Sequence, residues 1–356
     1  MTQANKGWNQ NLMMSLFGKE AEYDAGVTIS AATACSMVGY EFEPSWPDKI
    51  ENDKGDVTGK EHGYDQEIIQ YGFEATYKES KAKPNSVIGL AALVLGAVSN
   101  SQDGELTAYK HIVTPVPIGT GLPSMHVEHV KGGLQYKYTG VKGNSYKLSG
   151  EAGAPLSLEV ALLGSGTRAT SATEFVAAIT ESWLLLSKMS VWMETGANIS
   201  ITAAASRAQG AENISSATPD PLGPRFQKFD FAWNNNGAGQ PGAGGDGVFQ
   251  DIDYGRRAAE LKFGIIQSAG TELAYYTDQD VVAVEFNLKG ALIAVGGAMY
   301  YGVDLIVPRC KIKAAPLPAG GVDDNLTQEF DVEIFDDGTN SPVEIIGYNA
   351  QAAYMG

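Results

Sequence analysis

Residues 134–166 decide the fold, and they read LQYKYTGVKGNSYKLSGEAGAPLSLEVALLGSG. Most large apolar and aromatic residues fall on even positions, with lysine, serine and glutamate between them. A period of two is typical of half-buried strands, because successive side chains point to opposite faces of a sheet. The clusters VKGN and GEAGAP interrupt this pattern with turn-forming residues. The stretch therefore predicts three antiparallel strands, and it contains no catalytic group.

The same alternation continues on both sides of this stretch, which favours a mainly β fold, an antiparallel β-sandwich. Alternating or extended segments lie at 37–43, 66–77, 229–233, 261–265, 282–288 and 330–334. The segment DDGTNSP contains an Asp-Gly pair and predicts a hairpin leading into 343–346.

One short packed helix is predicted where PNSVIGLAALVLGAV begins at Pro84. Polar residues precede its apolar segment, and Val87, Leu90, Val94 and Val98 follow a near-helical spacing that would place one face on a sheet. Residues 173–193 fit a helix or a strand equally well.

The domain prediction is a single β domain over residues 1–356. Residues 197–224 and 234–247 are predicted to be loops because they are rich in small and turn-forming residues. A similar layout of the halves 1–166 and 225–356, joined by the loop-rich 197–224, is compatible with a duplication, although no repeat can be aligned.

Composition bounds the class of protein. With 356 residues and 44% hydrophobic content, the chain can bury a large core. The formal net charge of −17 argues against a nucleic-acid clamp, which needs a basic stripe, and fits either simple solubility or a protein that must not adhere to DNA. Cys35 and Cys310 give no disulfide framework and are expected to be reduced. No signal peptide and no membrane insertion are expected.

The search for catalytic, cofactor and metal sites is negative. The literal G-x-G-x-x-G at Gly237 contains a proline and lacks the strand and helix of a dinucleotide site. His126 and His129 would point to opposite faces of a strand, so they predict no metal site. The segment after Asp251 begins like a calcium loop but lacks the later acidic ligands. We therefore expect no enzyme activity and no cofactor.

Acidic residues recur on the polar positions of the predicted strands. They predict an acidic, water-facing sheet surface formed by Glu159, Asp230, Glu285, Asp331, Glu333 and Glu344.

The order of these parts resembles the major tail tube protein of long non-contractile tailed bacteriophages. The resemblance rests on GYDQEIIQYGFEATYKE, the helix PNSVIGLAALVLGAV, the strand and turn SYKLSGEAG, the closing LEVALLGSG, and the later segment from KFDFAWNNN to VEIIGYN. It covers most of the chain and is weakest over 197–224.

The resemblance implies a structural virion protein that forms six-membered rings, stacked into the tube through which the genome leaves. Each subunit of that family lends about four strands to a common inner barrel. Twenty-four strands spaced ~4.8 Å and tilted ~40° give a barrel roughly 48 Å across, wide enough for duplex DNA. The acids above would line the channel and repel phosphate.

The family also implies partners and a location. The chain would contact itself, a tape measure protein, and tail terminator and tip proteins, while double-stranded DNA passes without specific binding. It would be assembled in the host cytoplasm and end in the virion tail.

The long loop 44–65 lies between two predicted strands and exceeds the length of a hairpin connection. The resemblance implies that it is mobile in the free subunit and ordered in the tube, where it reaches the neighbouring ring. Trp46 would be its apolar anchor, and its polar contacts would be Asp48, Glu51, Asp53 and Asp56.

Two other classes stay open. A virion decoration protein or a carbohydrate-binding β-sandwich would show exposed aromatic residues clustered on one face and would remain monomeric. An enzyme on a β scaffold would need a paired catalytic constellation, which the sequence does not offer.

Overall fold

The computed structural model describes residues 11–52, 66–102, 107–203, 206–243, 246–267, 271–294, 298–316 and 326–355. Its helices are α1 (Pro84–Leu95) and α2 (Thr271–Thr277). Its strands are β1 (Leu12–Met14), β2 (Cys35–Ser36), β3 (Glu41–Ser45), β4 (Lys49–Asn52), β5 (Gln66–Gln70), β6 (Phe73–Glu79), β7 (Gly96–Gln102), β8 (Tyr109–Pro115), β9 (Met125–Lys131), β10 (Leu134–Glu151), β11 (Ser157–Gly164), β12 (Arg168–Thr170), β13 (Met189–Thr195), β14 (Asp220–Pro221), β15 (Phe226–Asn234), β16 (Gly237–Pro241), β17 (Phe249–Tyr254), β18 (Ala258–Ile266), β19 (Val282–Leu292), β20 (Tyr300–Ala314), β21 (Thr327–Ile334) and β22 (Glu344–Asn349).

The principal sheet contains eight antiparallel strands in the order β3–β6–β11–β10–β15–β18–β21–β20. The predicted β class is therefore confirmed. We call this surface the main sheet.

The order of elements in the main sheet occurs twice along the chain. In the first half, β3, β6, β10 and β11 pair in the order β3–β6–β11–β10, and α1 follows β6. In the second half, β15, β18, β20 and β21 pair in the order β15–β18–β21–β20, and α2 follows β18. We call these two sets the first unit and the second unit; the β10–β15 ladder joins them.

Two long strands leave the main sheet and continue in a second layer. The first part of β10 pairs with β9 and β12, and β9 pairs with β1. The first part of β20 pairs with β19 and β22, which extend to β13 and β8. The two layers give the chain its sandwich architecture.

The core lies between the layers and is rich in aromatic residues. Phe286 of β19 lies across the inner face of the main sheet, with ring centroids 5.5 Å from Phe229 and 6.3 Å from Phe263. The predicted alternation is confirmed there, since Phe229, Phe231, Leu261 and Phe263 are all buried.

Helix α1 begins where predicted but ends at Leu95, so Val98 lies on β7 instead of on the helix. The helix is buried on every side rather than on one face. Its apolar sequence has no polar stripe, which is what a fully enclosed helix requires. The cap also differs from the expectation. Lys83 occupies the N-cap position without a side-chain bond, and the backbone N–H of Asn85 donates instead to Glu181 Oε2 at 2.7 Å.

The cluster VKGN is not a turn, because β10 runs unbroken through it with a bulge between Gly143 and Ser145. A Cβ on Gly143 would lie 2.4 Å from Val94 Cγ2 of α1. The glycine therefore marks a close approach of helix and strand rather than a chain reversal. The turn predicted at GEAGAP is confirmed between β10 and β11.

Two hairpin arms replace segments predicted as loop or as single strands. Strands β4 and β5 pair as the first arm, so 66–77 is divided between β5 and β6. Strands β16 and β17 pair as the second arm, so 234–247 is not simply a loop. Each arm follows the first strand of its unit, β3 or β15. The strand predicted at 37–43 lies later, at β3.

The segment DDGTNSP does not form the predicted hairpin. Strands β21 and β22 both pair antiparallel with β20, at Cys310 to Ala314 and at Gly302 to Ile306 respectively. The chain therefore runs in the same direction before and after this segment, and the segment does not reverse it. The ambiguous 173–193 is irregular up to a 3-10 turn at Leu186–Lys188, and β13 begins at Met189. Helix α2 was not predicted.

The close approach at Gly143 gives a stability prediction. The variant Gly143→Ala should lose about 1–3 kcal/mol of unfolding free energy, because its methyl group overlaps Val94 and the backbone of α1. The matched control Gly121→Ala should be near neutral, since nothing lies within 4 Å of a Cβ there. Urea unfolding followed by circular dichroism measures both, and equal stability of the two variants would contradict the prediction.

Candidate assembly site

One face of the main sheet packs on the core, and the other carries charged residues of both signs. Across β3, β6, β11 and β10 the register aligns Glu41, Lys78, Glu159 and Lys147 in a row. The Lys78 ammonium lies 3.6 Å from the Glu159 carboxylate. Acids and lysines therefore alternate from strand to strand, an arrangement that stabilises neighbouring strands.

The alternating row continues across the junction into the second unit. The Lys147 ammonium reaches Asp230 Oδ2 on β15 at 2.8 Å. Asp230 is the register partner of Lys262 on β18, which is in turn the partner of Asp331 on β21. The predicted acidic face is thus a mixed face, and we call it the charged face.

Four of the six predicted channel acids lie on the charged face: Glu159, Asp230, Asp331 and Glu333. Glu159 and Asp230 have a lysine partner. Glu333 lies opposite Glu260 on one side and Lys311 on the other, so its charge is less compensated.

The other two predicted acids are buried inside the subunit, which corrects the expectation for them. Glu285 is fully buried and accepts hydrogen bonds from both nitrogens of Asn213 at 2.8 Å. Burial raises the pKa of Glu285 to about 7. Glu344 forms a buried ion pair with Arg207. Both lie on strands of the second layer, β19 and β22, which are covered on both sides, so alternation no longer indicates contact with water there.

The base of the first arm is held by a cluster around Arg168. Its guanidinium makes a bidentate contact with Asp48, at 2.8 and 3.3 Å, and lies 4.6 Å from the Trp46 ring and 5.2 Å from the Tyr71 ring. Asp48 also accepts the backbone N–H of Gly72 at 3.1 Å. Planar bidentate and stacked contacts of this kind fix arginine geometry. Trp46 and Asp48 therefore lie at the root of the arm.

The remaining residues predicted for this loop lie farther along the arm. Glu51 is exposed on β4 and lies 3.8 Å from the Lys49 ammonium. Asp53 and Asp56 fall outside the described residues.

The second arm has a comparable root. The buried ammonium of Lys142 contacts Asp251 on β17 at 2.5 Å and lies 4.9 Å from the Tyr23 ring. The two arms also meet, because the Tyr71 backbone N–H donates to the Gly247 carbonyl at 2.8 Å.

The histidines and cysteines among the described residues form no further site. His126 lies 3.1 Å from Glu128, and His129 packs edge-on against Phe42, with ring centroids 5.0 Å apart. Within the described part of the chain, no group of three or more potential metal ligands converges. Cys35 and Cys310 are free and buried. No helix among the described residues is long and apolar enough to span a membrane.

A family model described as phage tail tube protein matches residues 69–334. The chain belongs to the phage tail tube protein family. The family predicted from the sequence is therefore confirmed, and the match spans everything from β6 to β21. No curated protein matches the chain. As a member of this structural family, the tail tube protein is a virion component that assembles with its own copies.

Sequence reasoning missed the basic residues that complete these sites. Lys78, Lys147 and Lys262 occupy the same polar positions as the acids, so parity alone could have placed them on the charged face. Arg168 and Lys142 gave no signal, because their partners Asp48 and Asp251 are distant in the sequence.

Burial of Glu285 gives this tail tube protein a pH-dependent stability. Because its folded-state pKa is raised, ionisation destabilises the fold as pH rises from about 4.5 through about 7. The unfolding free energy of Glu285→Gln, relative to that of the parent, should therefore rise by on the order of 2–3 kcal/mol between pH 4.5 and 8. Urea unfolding across that pH range measures it, with Glu333→Gln on the charged face as control. A difference independent of pH would contradict the assignment.

Proposed function

We propose that this tail tube protein polymerises as stacked rings into the tube of a long, non-contractile phage tail, and that the tube interior is the channel for genome ejection. The observation that carries the proposal is the main sheet, which has one face in the core and one charged face in water. Such a sheet, with strands at its ends to be covered, closes most simply by pairing with copies of itself. The charged face then lines the closed barrel.

The charge pattern suits a channel that DNA must pass without binding. A lysine that is already paired with a carboxylate, as Lys78 and Lys147 are, binds phosphate weakly, because the neutral pair displaces few of the counterions condensed on DNA. Glu159, Asp230, Asp331 and Glu333 keep phosphate from settling on the wall. The DNA therefore meets a smooth potential instead of deep wells.

The first arm is proposed to contact the neighbouring ring. Its root is fixed by the Arg168 cluster, so Trp46 and Asp48 aim the arm while Glu51 is available for contact. Asp53 and Asp56 belong to the same contact in this proposal.

The proposal includes the partners and the location expected of such a tube. The tape measure protein would occupy the channel before ejection, and tail terminator and tip proteins would cover the tube ends. Assembly would take place in the host cytoplasm, and the mature location is the virion tail. Family membership supports a structural role without catalysis.

A carbohydrate-binding or decoration role receives less support. Such a site needs aromatic side chains free to stack on a ligand. Of the tryptophans that are exposed among the described residues, Trp46 already stacks on Arg168 and Trp183 lies 4.1 Å from the Lys81 ammonium.

Tube formation is tested by negative-stain microscopy of the purified protein at high concentration. The parent should form tubes. A variant in which residues 53–65 are replaced by a two-residue turn should remain folded and form rings but no long tubes, because the Arg168 cluster is retained. A parent without rings or tubes, alone or in virions, would refute the proposed function. Equal tube lengths for both proteins would remove the arm from stacking.

The channel assignment is tested with phage particles that carry Glu333→Arg. Because Glu333 is less compensated than the other acids, the reversal should create a phosphate-binding position and slow DNA ejection, more strongly at low salt. Asp278→Arg, after α2 and outside the main sheet, is the matched control. Real-time DNA release gives the rates, and identical rates for both variants would argue against a lumenal charged face.

A further inference from the structure

We propose that β20 of one copy pairs with β3 of the next copy, and that three copies, rather than six, close each ring. The inference rests on the proposed function and specifies the partner surface that the ring uses.

The repeated strand order carries the first step. Each unit contributes four strands to the charged face. The first unit begins with β3 and ends with the long strand β10, and the second begins with β15 and ends with the long strand β20. The chain therefore already contains one junction between units, formed by β10 and β15. Repetition of the same junction between β20 and the next β3 extends the sheet without a new kind of contact.

The exposed strand edges supply the second step. Among the described residues, β3 pairs only with β6. Strand β19 accompanies β20 only as far as Cys310, so the last residues of β20 pair on one side, with β21. Two unpaired edges therefore stand at opposite ends of the main sheet, where a free edge invites pairing with another chain.

The internal junction predicts the register of the external one. Glu41 occupies the same position in the first unit as Asp230 does in the second. Glu41 is the register partner of Lys78, which in turn lies opposite Glu159. Asp230 is the register partner of Lys262, which in turn lies opposite Asp331. Glu43 then corresponds to Ala232. On the other strand, Lys147 faces Glu159 as Ala314 faces Asp331.

Since Lys147 is the register partner of Ala232, Ala314 should lie opposite Glu43 of the next copy. Pro44 has no N–H and contributes no donor to the new ladder.

Charge complementarity agrees with this register. Glu41 and Glu43 are exposed on β3, and Lys313 is exposed beside Ala314 in the bulge of β20. Neither Glu41 nor Lys313 has an ion-pair partner among the described residues. At the internal junction the corresponding place holds the Lys147–Asp230 ion pair. Lys313 would complete the alternating row by contacting Glu41.

The number of copies follows from the strand count. Three copies of eight strands give a barrel roughly 48 Å across at the usual strand spacing and tilt. Six copies would give forty-eight strands and a barrel of roughly 95 Å, far wider than a duplex requires. Each ring still contains six four-stranded units, but three chains supply them, with two units in each chain.

The surface and the count are tested together in assembled tubes of the double variant Glu43→Cys/Ala314→Cys. Opposed residues of an antiparallel pair lie within disulfide range, and the native Cys35 and Cys310 are buried. After oxidation, non-reducing electrophoresis should show dimers and a terminal trimer. Either single-cysteine variant, treated identically, is the control and should remain monomeric.

A charge exchange tests the register independently. Lys313→Glu should raise the critical concentration for assembly roughly fivefold, and Glu41→Lys in the same chain should restore it. Lys188→Glu, with the same charge change in an exposed 3-10 turn away from the sheet edge, should have little effect.

The outcomes separate this inference from the proposed function. Tubes that form without any intermolecular disulfide would overturn the β20–β3 pairing, and a ladder ending at six chains would overturn the count; in both cases the tube function stands. Absence of tubes from the parent protein would refute the proposed function itself.

Discussion

The ladder between β10 and β15 is the interaction on which the rest of the structure depends. It pairs residues 145–151 with residues 228–234 and turns two four-stranded units into one sheet. On the dry side, Tyr146 and Leu148 lie opposite Trp233 and Phe231, and on the wet side Lys147 contacts Asp230. A slip of one residue would bury the lysine and expose the aromatic rings. Core packing and surface charge therefore specify the same register.

Helix α1 fills the interior of the first unit, and the half-buried carboxyl group of Glu181 caps its N-terminus. Glu181 accepts a hydrogen bond from the Asn85 N–H at the helix N-terminus, where a negative charge interacts favourably with the helix dipole. Burial nevertheless raises the pKa of Glu181 to about 7, so the neutral and the ionised forms of its carboxyl group are both populated near physiological pH. The second unit contains the much shorter α2 instead. The two units thus share a sheet order while their interiors differ.

Much of the fold was predictable because local patterns record it directly. Alternation located the strands around Phe231, Phe263 and Val332, and the apolar run after Pro84 located α1. The errors arose where one local signal serves two structures. Gly143 permits a bulge against Val94 as readily as a turn, and Asp337-Gly338 interrupts a strand as readily as it closes a hairpin.

The candidate site was less predictable because it depends on pairing between distant segments. Glu285 and Asp230 both lie on strands with alternating sequences, but β19 is covered on both faces and β15 on one. Parity identifies a face, and only the tertiary structure decides whether that face meets water. The repeat of strand order was hidden for a similar reason. Strands β7 and β8 are inserted after α1, with no counterpart after α2, so the spacing of the two units differs.

In the proposed ring, two units in one chain alter how assembly proceeds. Half of the junctions between four-stranded units are then made within a chain, at the high effective concentration of a covalent connection. They form during folding and cost no translational entropy of association. The remaining junctions need only repeat a ladder whose geometry the chain already realises at β10 and β15. Because each unit has its own place in the chain, one can retain α1 while the other builds the layer around β19, β20 and β22. A ring of identical single units would have to accommodate both features in every unit.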